Sequence, residues 1–227
     1  MLLTSWLCDW SGRANSLPKD KLRRWRRARP HEIRRWMAPI VESLEMRLVP
    51  TNISLNASGD LLIESFGSSA DMLEIHADGV NHQFAISDPG QNLFSTIGGT
   101  TGAGPHLVFI PFSSVVNAKQ LIVNTFDGGD VIRLTADGIG FNLSPVIDAG
   151  AGIDRIESSA VVSVPSDNVD VVLKAENIWL GGSITTAGGD VSLFGNVTIT
   201  SDVSITTDAT SDGDVLIVGQ VDSGAGP

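Results

Sequence analysis

The chain has 227 residues, 42% of them apolar, which is enough for a substantial core and excludes wholesale disorder. Its formal charge of −11 hides a split: residues 1–50 carry 11 Lys/Arg against 5 Asp/Glu, while residues 51–227 carry 4 against 21. A basic head therefore precedes a body of net charge −17, and such a body repels nucleic acid and anionic lipid, so an anionic partner has only the head to meet.

In the head, no run approaches the ~20 apolar residues that span a bilayer. "MLLTSWLC" is closed by Asp9, too early for the apolar stretch of a secretory signal, and Trp6 and Leu7 stand where a lipoprotein cysteine at Cys8 needs small residues. Cys8 is the single cysteine and forms no internal disulfide. "LRRWRRARPHEIRRW" predicts one or two helices broken at Pro30, with Arg23, Arg24, Arg26 and Arg27 ringing the axis rather than forming a stripe. Two readings stand: a fraying basic tail, or a targeting or surface-binding segment. "APIVESLEMRLVP" (38–50) resembles the P-x-x-E-x-LE-x-R element that precedes the β-rich regions of many exported planctomycete proteins. Leu44, Glu45 and Arg47 match its core, and Met46 departs from it. The resemblance implies that residues 1–50 are an export or sorting leader.

From Asn52 the pattern changes to short alternating runs, "ISLNASGDLLIESF", "DMLEIHADG" and "NHQFAISD", punctuated by Gly, Asp, Asn and Ser. These read as strands joined by turns. "STIGGTTGAGPH" is a loop; it lacks the Lys-Ser/Thr of a phosphate-binding loop and the spacing of a dinucleotide loop. "VFIPFSSVVNAKQLIVNTF" predicts strands interrupted at Pro111. Residues 51–118 thus form an irregular β region, an N-terminal cap or a separate β fold.

Residues 119–227 repeat. A shift of 24 places Gly189, Asp190, Val191, Leu193, Gly195 and Val197 on Gly213, Asp214, Val215, Ile217, Gly219 and Val221. The same shift places Ile122, Val123, Gly128, Asp130 and Ile132 on Val146, Ile147, Gly152, Asp154 and Ile156. A looser copy sets Asp170, Val171 and Leu173 twenty residues before Asp190, Val191 and Leu193. All-β repeats of this length predict a parallel β-solenoid: alternate apolar side chains point inward, and Gly-Asp pairs turn the corners. In "NVTITSDVSITTD" the inward set is Val197, Ile199, Val203 and Ile205, and the outward set is Thr198, Thr200, Ser204 and Thr206. The chain stops at "DSGAGP" directly after a strand, which predicts an open edge, either that of a fragment or one that drives self-association.

Residues 165–227, "…AENIWLGGSITTAGGDVSLFGNVTITSDVSITTDATSDGDVLIVGQVDSGAGP", resemble the repeats of filamentous-haemagglutinin-like adhesins and autotransporter passengers. The resemblance implies a right-handed parallel β-helix in a secreted or cell-surface scaffold. Its partners would be matrix, polysaccharide or another cell-surface molecule.

The chemistry-bearing residues point to no reaction, and no catalytic, cofactor or metal residue is assigned. Asp127, Asp130, Asp148 and Asp154 in "FDGGDVIRL" and "DAGAGIDRIES" offer oxygen to calcium, but they recur every 24 residues where a calcium roll needs nine, so turn punctuation is the preferred reading. His76, His82 and His106 are scattered without zinc spacing. Asp130 with Arg133, and Asp154 with Arg155, read as surface ion pairs. Asn-x-Ser/Thr at Asn52, Asn56, Asn142 and Asn196 is the chance product of polar ladders. The functional expectation is a non-enzymatic adhesin-like scaffold, with a β-helix carbohydrate-active enzyme and a calcium-stabilised repeat domain as alternatives.

Overall fold

The computed structural model describes residues 50–227 apart from 68–69, 103, 168, 209–212 and 225–227. The leader, Cys8 and the LE-x-R element lie outside the described residues. What is described is all-β, with a 3-10 turn at Phe112–Ser114 and no α-helix among the described residues. Most strands join one large, curled, mixed sheet, with a three-stranded and a two-stranded sheet beside it.

Seven strands come first: β1 (Thr51–Leu55), β2 (Leu61–Ser65), β3 (Met72–Asp78), β4 (Gln83–Ser87), β5 (Leu93–Ser95), β6 (Thr101–Gly102) and β7 (Leu107–Pro111). Local chemistry sets their turns. The Asn56 side-chain oxygen accepts the N–H groups of Ser58 and Asp60 at 2.9 Å each, and Gly59 takes φ +87°, which closes β1 on β2 as an antiparallel hairpin. Asp78 does the same for β3 and β4, accepting from Val80 and Asn81. Pro111 ends β7, and Phe112 then packs edge-on against Phe84 at 4.8 Å. The stretch expected to be only loop carries the two-residue β6, paired antiparallel with β7.

The next thirteen strands repeat one path. They are β8 (Gln120–Asn124), β9 (Asp127–Gly128), β10 (Val131–Asp137), β11 (Ser144–Asp148), β12 (Ala151–Gly152), β13 (Arg155–Ser158), β14 (Val162–Asp167), β15 (Val171–Leu180), β16 (Ile184–Ala187), β17 (Val191–Ile199), β18 (Ile205–Thr206), β19 (Val215–Val218) and β20 (Val221–Ser223). All their mutual pairings are parallel and, apart from the short β9–β12 pair, fall into three ladders. The first stacks Val123, Ile147, Leu173, Leu193 and Ile217. The second stacks Ile132, Ile156, Ile178, Val197 and Val221. The third stacks Val162, Ile184 and Ile205, with Phe141 bridged to Val162. β15 and β17 are long enough to serve the first ladder with one half and the second with the other.

The apolar positions aligned by the 24-residue shift are register partners in this arrangement, Val191 with Val215 included. So are Val171 with Val191 and Leu173 with Leu193, twenty apart. The inward rows are buried: Val123, Ile132, Ile156, Ile178 and Leu193 have no exposure. Each such side chain contributes about 1.5–3 kcal/mol of transfer free energy. One expectation is corrected at the outermost described rung. Val215 and Val221 are 48% and 54% exposed rather than buried, because no described strand lies over β19 or β20.

The register also reaches back past the 24-residue repeat. β2 pairs parallel with β8 (Leu61 with Leu121) and β3 with β10 (Leu73 with Ile132), so these strands form one more rung. The antiparallel β1, β4, β6 and β7, with β5 parallel to β1, lie beyond it.

Candidate functional site: the outer face of the second ladder

Alternation along the second ladder sends Ile132, Leu134, Ile156, Ile178 and Leu180 inward, and Arg133, Thr135, Glu157 and Trp179 to the other face. Parallel register then lines Glu74, Arg133, Glu157, Trp179, Thr198 and Asp222 in one row running across the rungs. Within the row, Arg133 Nε donates to one oxygen of Glu157 at 2.7 Å, and Arg155 Nε forms an ion pair with the other at 2.6 Å. The Arg155 guanidinium lies over the Trp179 indole, 4.3 Å from its centroid. Glu157 is the most shielded of the ionic trio, so its pairs are stronger than open surface ones. The Glu157 carboxylate holds the Arg133 guanidinium above its ordinary range, with Glu74 adding to the effect. Arg133, Thr135, Glu157, Ser158, Trp179 and Thr200 surround a shallow depression of about 270 Å³. Beside it His76 shares a 2.9 Å hydrogen bond with the Thr135 hydroxyl and lies 3.3 Å from Asp137.

The corner between the first and second ladders holds a second constellation, buried except for Glu176 at its end. The Asp130 carboxylate accepts the Asp71 N–H at 2.9 Å, Asp154 accepts the Asp130 N–H at 2.8 Å, and Glu176 accepts the Asp154 N–H at 2.9 Å. Asp130, Asp154 and Asp88 have no exposed surface. Burial pushes all three carboxyls above the ordinary aspartate range. For Asp130, the Asp71 N–H and the Thr125 hydroxyl oppose the rise, and the charges of Asp71 and Asp88 add to it. The expected surface pairs are therefore wrong. Asp130 and Asp154 tie rung to rung inside, and Arg133 and Arg155 turn to Glu157 instead. A more open copy of the device sits at the other corner, where Asp170 accepts the Asp190 N–H at 2.9 Å and Asp190 accepts the Asp214 N–H at 2.8 Å.

The four carboxylates considered for calcium are not brought together. Asp127 and Asp148 line a different depression with Lys174, whose ammonium binds Asp148 at 2.8 Å, while Asp130 and Asp154 each spend an oxygen on a backbone N–H. Among the described residues no group of three or more His, Cys, Asp or Glu has metal-binding geometry. Thermal melts with calcium and with chelator are expected to superimpose; a rise in melting temperature with calcium would contradict this assignment. His82 and His106 lie apart from His76: His82 sits at φ +54° and His106 bonds the Gln91 carbonyl at 2.7 Å.

Sequence reasoning missed Trp179 and Glu157. The available signal was that Trp179 is the one tryptophan of five outside residues 1–50. No helix among the described residues is long and apolar enough to cross a membrane. Compared with known proteins, the chain matches no family model, no curated protein and no solved structure.

Proposed function

We propose that the chain is a non-enzymatic, adhesin-like scaffold of the cell surface or the secreted fraction, and that its three ladders are the faces of a right-handed parallel β-helix. The observation that carries this reading is the unbroken parallel register from Ile132 through Ile156, Ile178 and Val197 to Val221. Parallel strands joined by crossovers within one sheet are right-handed in nearly all cases, since the strand twist permits only that return path. The antiparallel strands beside β2 and β3 act as a cap that protects the rung edge from pairing with other chains. The resemblance of residues 165–227 to haemagglutinin-type repeats supports the surface location.

The ladder geometry favours binding over catalysis at this charged row. Glu157 pairs with an arginine through each oxygen, which ties the carboxylate into the row as a fixed structural element. Protease shaving of intact producing cells, followed by fractionation, tests the reading. Loss of the protein from the surface fraction, or its recovery from the medium, is expected; a protein found wholly inside and protected would overturn it.

A further inference from the structure

Resting on that scaffold reading, we propose that the depression at Trp179 is a saccharide-binding site for a neutral pyranose residue of a polysaccharide lying along the rungs. Four features of the face lead there. First, Trp179 is a half-buried aromatic ring on an outward row, flanked in register by Glu157 and Thr198. A pyranose has one face of C–H groups, and covering it with an indole removes apolar surface from water on both sides. Second, the ring is held before any ligand arrives. Arg155 stacks on it, Glu157 holds Arg155, and Arg133 holds Glu157, so little side-chain freedom is left to lose on binding. Third, the rim carries a charged donor, Arg133, a carboxylate, Glu157, and the hydroxyls of Thr135 and Thr200. Vicinal sugar hydroxyls need such a mixture, since each both donates and accepts. Fourth, the space is shallow and of one-ring size, about 270 Å³, and the row continues past it to Thr198 and Asp222 on one side and Glu74 on the other.

Charge selects a neutral polymer. The guanidiniums of Arg133 and Arg155 are offset by the carboxylates of Glu157 and Glu74 in the row, and the body around them holds 21 acidic residues against 4 basic ones, which repels an anionic chain.

Affinity electrophoresis of the purified full chain tests the proposal, in gels containing neutral polymers (galactomannan, xyloglucan, mixed-linkage β-glucan, dextran) or anionic ones (polygalacturonate, dextran sulfate). Retardation by at least one neutral polymer is expected, reduced at least tenfold in apparent affinity by Trp179→Ala and by Arg133→Ala, and unaltered by Lys119→Ala on the exposed surface away from the site. Circular dichroism and melting of each variant establish folding. Should Trp179→Ala fail to fold, Arg133→Ala and the wild-type polymer panel decide. Migration unchanged in every neutral polymer, retardation by anionic polymers alone, or binding that survives both substitutions would overturn the proposal. The readout is independent of where the protein resides, so a failure here leaves the surface-scaffold reading to its own test.

Discussion

Gly152→Ala is expected to destabilise the protein by about 3 kcal/mol or more, a loss tied to steric overlap and backbone strain. A Cβ at this position would stand 1.5 Å from the Gly128 carbonyl oxygen and 2.7 Å from its carbon, with φ at +155°. Both obstacles are backbone of the neighbouring rung, so no rotamer change relieves them; the two rungs would have to separate. Gly195 meets the Ala175 carbonyl oxygen in the same way at 1.8 Å, and Gly219 meets that of Gly195 at 2.1 Å. Gly128, Gly152, Gly195 and Gly219 hold this corner, where the stacked backbones pass closely, while the β15 rung passes it with Ala175 and Glu176 at an irregularity in the register. Gly59→Ala is the control: φ is +87° but the added carbon touches nothing, so only the left-handed backbone cost of about 1–2 kcal/mol applies. In a chain of this size the difference amounts to several degrees of melting temperature. A Gly152→Ala protein that melts with Gly59→Ala, or above it, would refute close rung contact at this corner.

The second large effect is on pH dependence. Asp88, Asp130 and Asp154 have folded-state pKa values above their unfolded ones, chiefly because burial disfavours the charge. Between the two values the folded state binds more protons than the unfolded, so stability must fall as pH rises. The contribution is complete below the ordinary aspartate range, near about pH 3.9, and is lost as pH climbs through the raised values. The melting temperature is therefore expected to decline from mildly acid toward neutral pH. Asp78 works oppositely: hydrogen bonds led by that from Asn81 lower its pKa, so its contribution is lost only in stronger acid. Self-repulsion among the 21 acids of the body slopes the same way as the buried trio, so a variant must separate them. Asp130→Asn keeps an acceptor for the Asp71 N–H and removes the buried charge. It is expected to melt at or above wild type at neutral pH, with a shallower slope, whereas Asn at the exposed Asp202 leaves the slope nearly unchanged. Asp130→Ala orphans the Asp71 N–H and is expected to cost about 1–3 kcal/mol. Equal slopes in wild type and Asp130→Asn would remove the buried corner from the account.

How much of this was legible in the residues depends on what each feature leaves behind in one dimension. The stacked rows were legible because Ile132, Ile156 and their partners recur at nearly constant spacing with inward phase, and parallel register preserves that spacing. The rung of β2 and β3 was not, because residues 79–118 intervene between it and the next and stretch the offset to about sixty, Leu61 pairing with Leu121. The buried corner was misread for a different reason. Asp130 lies three residues before Arg133, an easy ion pair on paper, but a strand sends residues 130 and 132 to one side and 133 to the other. Asp130 therefore goes with the buried Ile132, and its carboxylate serves the rung beside it. A clue was present: Asp71, Asp130 and Asp154 each stand two residues before Leu73, Ile132 and Ile156, a phase that solvent-facing punctuation has no reason to keep. The Trp179 site was illegible because its members come from different rungs, 46 residues apart between Arg133 and Trp179, and only the lateral register brings them into one row.

Successive repeats stack one strand apart. Distances between paired nitroxide labels test it most directly. In a Cys8→Ser background, one label goes at Asn124 and the second at Lys174, Phe194 or Val218 in turn, positions two, three and four rungs along the same row. The separations are expected to lengthen by about 4.8 Å for each added rung, near 10, 14 and 19 Å before the label arms are included. Separations that do not rise in that order, or that scatter broadly beyond ~30 Å as in an unstacked chain of this length, would contradict it.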